Sequence, residues 1–130
     1  MLVVDASAIL EVLLQTPDAA AVQERLFRAN ESWHAPHLLD LEVIQVLRRY
    51  VLARTMSEAR GRDALRVFAA MPITRYPHEP FRRRIWDLRA NVTAYDAVYL
   101  ALAEALPAPL VTADGRLAAV PGHAADVEVL

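Results

Sequence analysis

A chain of 130 residues with 55% hydrophobic and 23% charged side chains has the composition of one domain able to bury its own core. Its formal charge is -2, all 14 of its basic residues are arginine, and it contains no cysteine. Lysine-dependent chemistry, disulfide scaffolds and thiolate metal sites are therefore excluded.

Leu2 to Val4, ending at Asp5, predicts a short strand feeding a helix from Ala6 to Leu14. Thr16-Pro17-Asp18 breaks that pattern, with Asp18 placed to cap a helix carrying Val22, Leu26 and Phe27 on its apolar side. A second strand is expected over Ser32 to Ala35. Pro36 then opens a helical segment from Leu38 to about Ala53, apolar round most of its circumference and so expected to be central. Ser57 and Glu58 start a helix that Pro72 stops after Met71, and Ile73 to Tyr76 reads as a strand.

Glu79 to Ala90, containing Arg82-Arg83-Arg84, is expected to be helical. Thr93 caps an apolar helix reaching Ala105, with Pro107 and Pro109 framing its end. Leu110 to Thr112 reads as a strand, Ala113 to Val120 as a turn holding one helical turn, and Val127 to Leu130 as a last strand. This alternation predicts a single domain over residues 1–130, a three-layer α/β/α sandwich about a mainly parallel sheet. The first residues lack the features of a signal peptide, and no apolar run approaches the roughly 20 residues of a spanning helix. A soluble, cytoplasmic protein is expected, with no membrane partner, and its apolar composition suggests a homodimer.

Four acids fall at informative places, because open α/β sheets put ligand sites beyond the carboxyl ends of their strands. Asp5 ends the first strand and Asp114 lies just past Leu110 to Thr112. Asp96 sits three residues after Thr93, the spacing of a capping box, and Glu42 lies inside the long helix among Leu38, Leu39 and Val46. Each also has a plain structural reading: Asp5 as an N-cap, Asp114-Gly115 as a turn, Asp96 as a cap partner, Glu42 as an ion-pair partner of an arginine such as Arg49. Asp40 rivals Glu42 on periodicity. Acids with no thiol or histidine cluster beside them suit a hard cation, Mg2+ or Mn2+.

Four segments carry a family resemblance: Val3-Val4-Asp5-Ala6-Ser7-Ala8, Pro36-His37-Leu38-Leu39-Asp40-Leu41-Glu42-Val43, the run from Thr93 to Ala103, and Leu110-Val111-Thr112-Ala113-Asp114-Gly115-Arg116-Leu117. In order, spacing and content they resemble the PIN-domain ribonucleases, in particular VapC-type toxins of bacterial toxin–antitoxin pairs. The resemblance implies a Mg2+-dependent endoribonuclease that hydrolyses RNA phosphodiester bonds. It implies that Asp5, Glu42, Asp96 and Asp114 coordinate the metal and that Asp40 does not. Ser7 and Thr112 stand where the family has small hydroxyl residues supporting the acids or a metal-bound water. A cognate antitoxin protein covering the acidic site is implied as partner. Gln45 replaces a frequent asparagine, and Ala118 offers no further acid one turn past Asp114.

Arg116, two residues from Asp114, is the arginine best placed to contact an RNA backbone, with Arg48-Arg49 and Arg82-Arg83-Arg84 further off; for the triple run a solvated helix face is the plainer reading. Trp33 and Trp86 could stack on bases, but core or dimer packing explains them as well. None of His34, His37, His78 and His123 forms a site in sequence. Receiver domains and haloacid-dehalogenase phosphatases, which also place acids after strand one, require the lysine this chain lacks. The alternative of another class is a non-catalytic PIN-like module that binds RNA or protein without cutting.

Overall fold

Leu2, Val3 and Val4 have no exposed surface at all, which requires cover on both faces of strand β1 (Leu2–Val4). The computed structural model describes all 130 residues and supplies that cover. Four further strands, β2 (Trp33–Pro36), β3 (Ile73–Tyr76), β4 (Leu110–Thr112) and β5 (Val127–Val129), join β1 in one sheet. Their order is β3-β2-β1-β4-β5, and every pairing is parallel.

Side chains alternate across a strand, so consecutive residues of β1 serve two different cores. Leu2 and Val4 pack with α1 (Ala6–Leu14), α2 (Ala19–Phe27), α3 (Leu38–Leu52) and α4 (Glu58–Ala70), through Ile9, Val22, Leu39, Val43 and Phe68 among others. Val3 faces the other way, with Leu110, against Leu88 and the apolar face of α6 (Ala94–Ala105). Short α5 (Arg82–Asp87) completes that second layer. The result is the expected three-layer sandwich. No helix is long and apolar enough to cross a membrane.

Several details depart from the expected elements. Asp18 makes no side-chain cap and has helical backbone angles (φ -88°, ψ -3°), so the tight turn after Pro17 runs straight into α2. Phe27 is 66% exposed and meets the edge of Trp33 from outside the core, because α2 ends there. The predicted helix over Glu79 to Ala90 is divided into a 3-10 turn at Glu79–Phe81, with Pro80 inside it, and the six-residue α5. Residues 113–120 form turns without a helix. Trp33 is buried and donates to the Leu26 carbonyl (3.2 Å), whereas Trp86 is exposed with the Arg89 guanidinium over its ring.

β1 is the switch point of the sheet: the chain passes from it to β2 and β3 on one side, then returns to β4 and β5 on the other. Loops leaving β1 and β4 at their carboxyl ends diverge there, opening a crevice at that rim.

Candidate active site

Asp5 is the best-determined member of the rim. It leaves β1 in an extended conformation (φ -99°, ψ 173°) and caps α1, its Oδ1 accepting from the Ala8 amide at 3.0 Å. Ser7 donates to the same oxygen (2.7 Å) and Thr112 to Oδ2 (2.5 Å). Each hydroxyl has one proton, and both are engaged by Asp5, so the 3.1 Å approach of the two hydroxyl oxygens is a spacing and not a third bond. Those oxygens in turn accept amides of the neighbouring loop, Ala113 onto Ser7 and Asp114 onto Thr112, both at 2.9 Å. The end of β4 is thereby fastened to the start of α1 around one carboxylate.

Burial raises the pKa of Asp5; the bonds from Thr112, Ala8 and Ser7 oppose this, and the charge of Asp114 adds to it. Glu42, half-buried on α3, is likewise raised, first by burial and then by the charges of Asp96 and Asp5. Its Oε1 accepts the phenolic proton of Tyr99 at 2.5 Å, which works in the opposite direction. Asp96, in the first turn of α6, is raised by burial and by Asp114, with Arg116 and Thr93 opposing. The four carboxylates therefore repel one another in a closed ring, from Asp5 to Glu42, Asp96, Asp114 and back to Asp5.

Asp114 alone is lowered, held down by the Arg116 guanidinium. Thr93 caps α6 by accepting the Asp96 amide (3.2 Å), so the capping geometry and a place in the ring coexist, as they do for Asp5. Asp40 is turned away: its carboxylate pairs with Arg75 on β3, with contacts of 2.8 to 3.0 Å. Asp40 is thus engaged at β3 while Glu42 faces Tyr99, and Arg49 makes no ion pair with Glu42.

No three acidic or histidine side chains close around a point that an ion could occupy. The reason is visible in their partners. Glu42 bonds to Tyr99, Asp5 to its two hydroxyls and Asp114 to Arg116, so each carboxylate is directed to a partner of its own. In kind, the donors fit a hard divalent cation: carboxylates, hydroxyls and no nitrogen or sulfur. Tyr99 was not singled out from sequence, although it lies three residues after Asp96 on the same helix face.

The other expected contacts fall elsewhere. Arg84 is tied to Glu104 (2.8 and 3.0 Å) and to the Gly122 carbonyl. Arg82 pairs with Glu79, and Arg48, Arg49 and Arg83 are exposed. Gln45 is exposed and bonds to no protein group. His34 is buried between Ser32 and Tyr76 and away from the ring; burial lowers its pKa.

The chain is 43% identical over 130 residues to "Ribonuclease VapC12" of Mycobacterium tuberculosis, covering 100% of this chain and 99% of that one. Its fold matches the VapBC2 complex of Rickettsia felis, solved "bound to a DNA fragment from their promoter", with a TM-score of 0.72 at 13% identity over 98% of this chain and 97% of the other. It also matches Mycobacterium tuberculosis VapC20, described as a "Sarcin-Ricin loop cleaving toxin", with a TM-score of 0.73 at 11% identity over 95% and 97% of the two chains. The family model described as "PIN domain" matches residues 2–123. That segment holds all four acids of the ring and nearly the whole sheet, and the chain belongs to the PIN domain family.

Proposed function

We propose that this protein is a divalent-metal-dependent endoribonuclease, the toxin of a toxin–antitoxin pair, with Asp5, Glu42, Asp96 and Asp114 as its metal-binding acids. The observation that carries the reading is the ring of four mutually repelling carboxylates at the switch point of the sheet. A divalent cation would relieve such repulsion, and the ribonuclease name of a relative 43% identical over the whole chain supports RNA as the substrate. When bound, Mg2+ or Mn2+ supplies a nucleophile from water at neutral pH and neutralises charge on the phosphate oxygens. Ser7 and Thr112 hold Asp5 in a fixed orientation for that ion, and Tyr99 does the same for Glu42. Arg116, beside Asp114, contacts an RNA phosphate.

Direct hydrolysis leaves a 5′ phosphate and a 3′ hydroxyl. The test is cleavage of structured RNA by the purified protein with Mg2+, with Mn2+ and with chelator, against Asp5→Asn and Asp96→Asn. Cleavage should require the metal and fall at least about a hundredfold in either variant. Equal activity in wild type and variants, or a 2′,3′-cyclic phosphate end, would sink the reading and favour a module that binds without cutting. The family neighbour solved as a VapBC complex supports a small antitoxin partner, acting in the cytoplasm where RNA is available. Co-expression with the neighbouring gene product should yield a copurifying complex, and light scattering should show the free protein as a dimer.

A further inference from the structure

Arg116 differs from the other well-bonded arginines of the molecule. Arg25, Arg75 and Arg84 have side chains 11%, 28% and 35% exposed and are each fixed by packing and by bonds to several groups. The Arg116 side chain is 89% exposed and bonds to one residue only, Asp114. Its Nε lies 3.0 Å from Oδ1 and 3.2 Å from Oδ2, its Nη2 lies 2.7 Å from Oδ2, and its amide donates to Oδ1 at 3.0 Å. Both oxygens of a proposed metal ligand are thus taken by a cation of the same loop. Asp96 and Arg116 together line an open groove of about 390 Å³, with Asn91, Thr93 and Leu117 among its other walls.

A guanidinium bound to both oxygens of Asp114 competes with a divalent ion for that carboxylate, by like charge and by the lone pairs it occupies. An exposed pair is weak, so an arriving ion displaces it readily. Asp96 is the other acid near the released guanidinium, across the same groove and without a hydrogen bond to it, and the planar fork matches a phosphate. We propose that Arg116 is a movable counter-cation, closing Asp114 in the metal-free protein and passing to a phosphate of RNA in the adjoining groove once a divalent ion occupies Asp114. The proposal rests on the metal reading above and adds the order of events: Asp114 opens only when metal arrives, and the RNA-binding arginine is available only then.

Calorimetric titration with Mn2+ in the absence of RNA tests this on wild type, Arg116→Ala and Arg116→Lys. Arg116→Ala should bind Mn2+ about two- to fivefold more tightly, the worth of an exposed ion pair. Arg116→Lys, which keeps the charge but loses the fork, should fall between the two. At saturating Mn2+, kcat/KM for RNA should drop by roughly tenfold in Arg116→Ala, since the phosphate contact is lost. Equal or weaker Mn2+ binding by Arg116→Ala, a Lys variant identical to wild type, or undiminished kcat/KM would overturn the proposal while the metal reading stands. A wild-type protein that binds no Mn2+ would overturn both.

Discussion

The hydrogen bond from Tyr99 to Glu42 makes a prediction about a single ionisation. Tyr99 is 2% exposed, and its hydroxyl stabilises the Glu42 carboxylate against burial and against the charges of Asp96 and Asp5. In Tyr99→Phe the anion loses its only side-chain donor, so the Glu42 pKa should rise further. Carbon-13 NMR titration of the Glu42 carboxyl measures this directly, and an unmoved or lowered midpoint would contradict it. If Glu42 must be ionised to hold metal, the acidic limb of the cleavage profile should move up by the same amount. A variant that merely loosens the core would lower activity equally at all pH values. The residue scale is also where sequence was least informative. Glu42 and Asp40 sit two apart on one helix, and only the placement of Arg75 on β3 and of Tyr99 on α6 shows what each of them meets. Tyr99 reads as one more core residue of an apolar helix until α3 is placed against it.

Among the elements, α2 and β5 are held together by one buried cation. Arg25 binds Glu128 through Nε (2.5 Å) and Nη2 (2.9 Å) and reaches Glu31 through Nη1 (3.2 Å), while Glu31 also takes the amino terminus. Arg25 lowers the Glu128 pKa below its ordinary value of 4.5. A depressed carboxyl stabilises the fold above its unfolded pKa, and that stability is lost as pH falls through the folded value. Glu128→Gln should therefore cost about 1–2 kcal/mol at pH 7 and nothing once the pH is well below 4, as read by urea unfolding. A cost independent of pH would assign the effect to packing. Most elements were legible because strand and helix periods differ and prolines punctuate the chain. What escaped was local: Asp18 carries a capping residue's chemistry, yet backbone angles decide whether a cap forms, and those depend on the turn before it. Pro80 divides the segment after β3 for a reason sequence does contain, since proline favours the first turn of a helix.

For the molecule as a whole, the ring of carboxylates is a standing destabilisation. Three of its members are raised, which means that ionising them works against the fold at neutral pH. Saturating Mn2+ should raise Tm by roughly 5–10 °C in wild type, from linkage of about 3 kcal/mol at a hundredfold excess over Kd, and should leave Asp5→Asn unmoved. Differential scanning calorimetry at neutral pH decides this, and an equal rise in both proteins would place the ion elsewhere. The layered architecture and the site's general location were readable because parallel sheets with a change of chain direction leave one crevice. The separation of the acids was not readable, since it follows from the hydrogen bonds each makes.

One of those bonds spans 107 residues, from Thr112 on β4 to Asp5 at the end of β1. β4 is also the strand that closes β1 on its second side. During synthesis the chain therefore carries Asp5 and Glu42 long before Thr112 and Tyr99 can bond to them, and the ring cannot assemble until residue 114 has left the ribosome. A fragment that ends before β4 lacks Thr112 and Asp114 together, so it should neither bind Mn2+ nor cleave RNA even where its remaining helices fold.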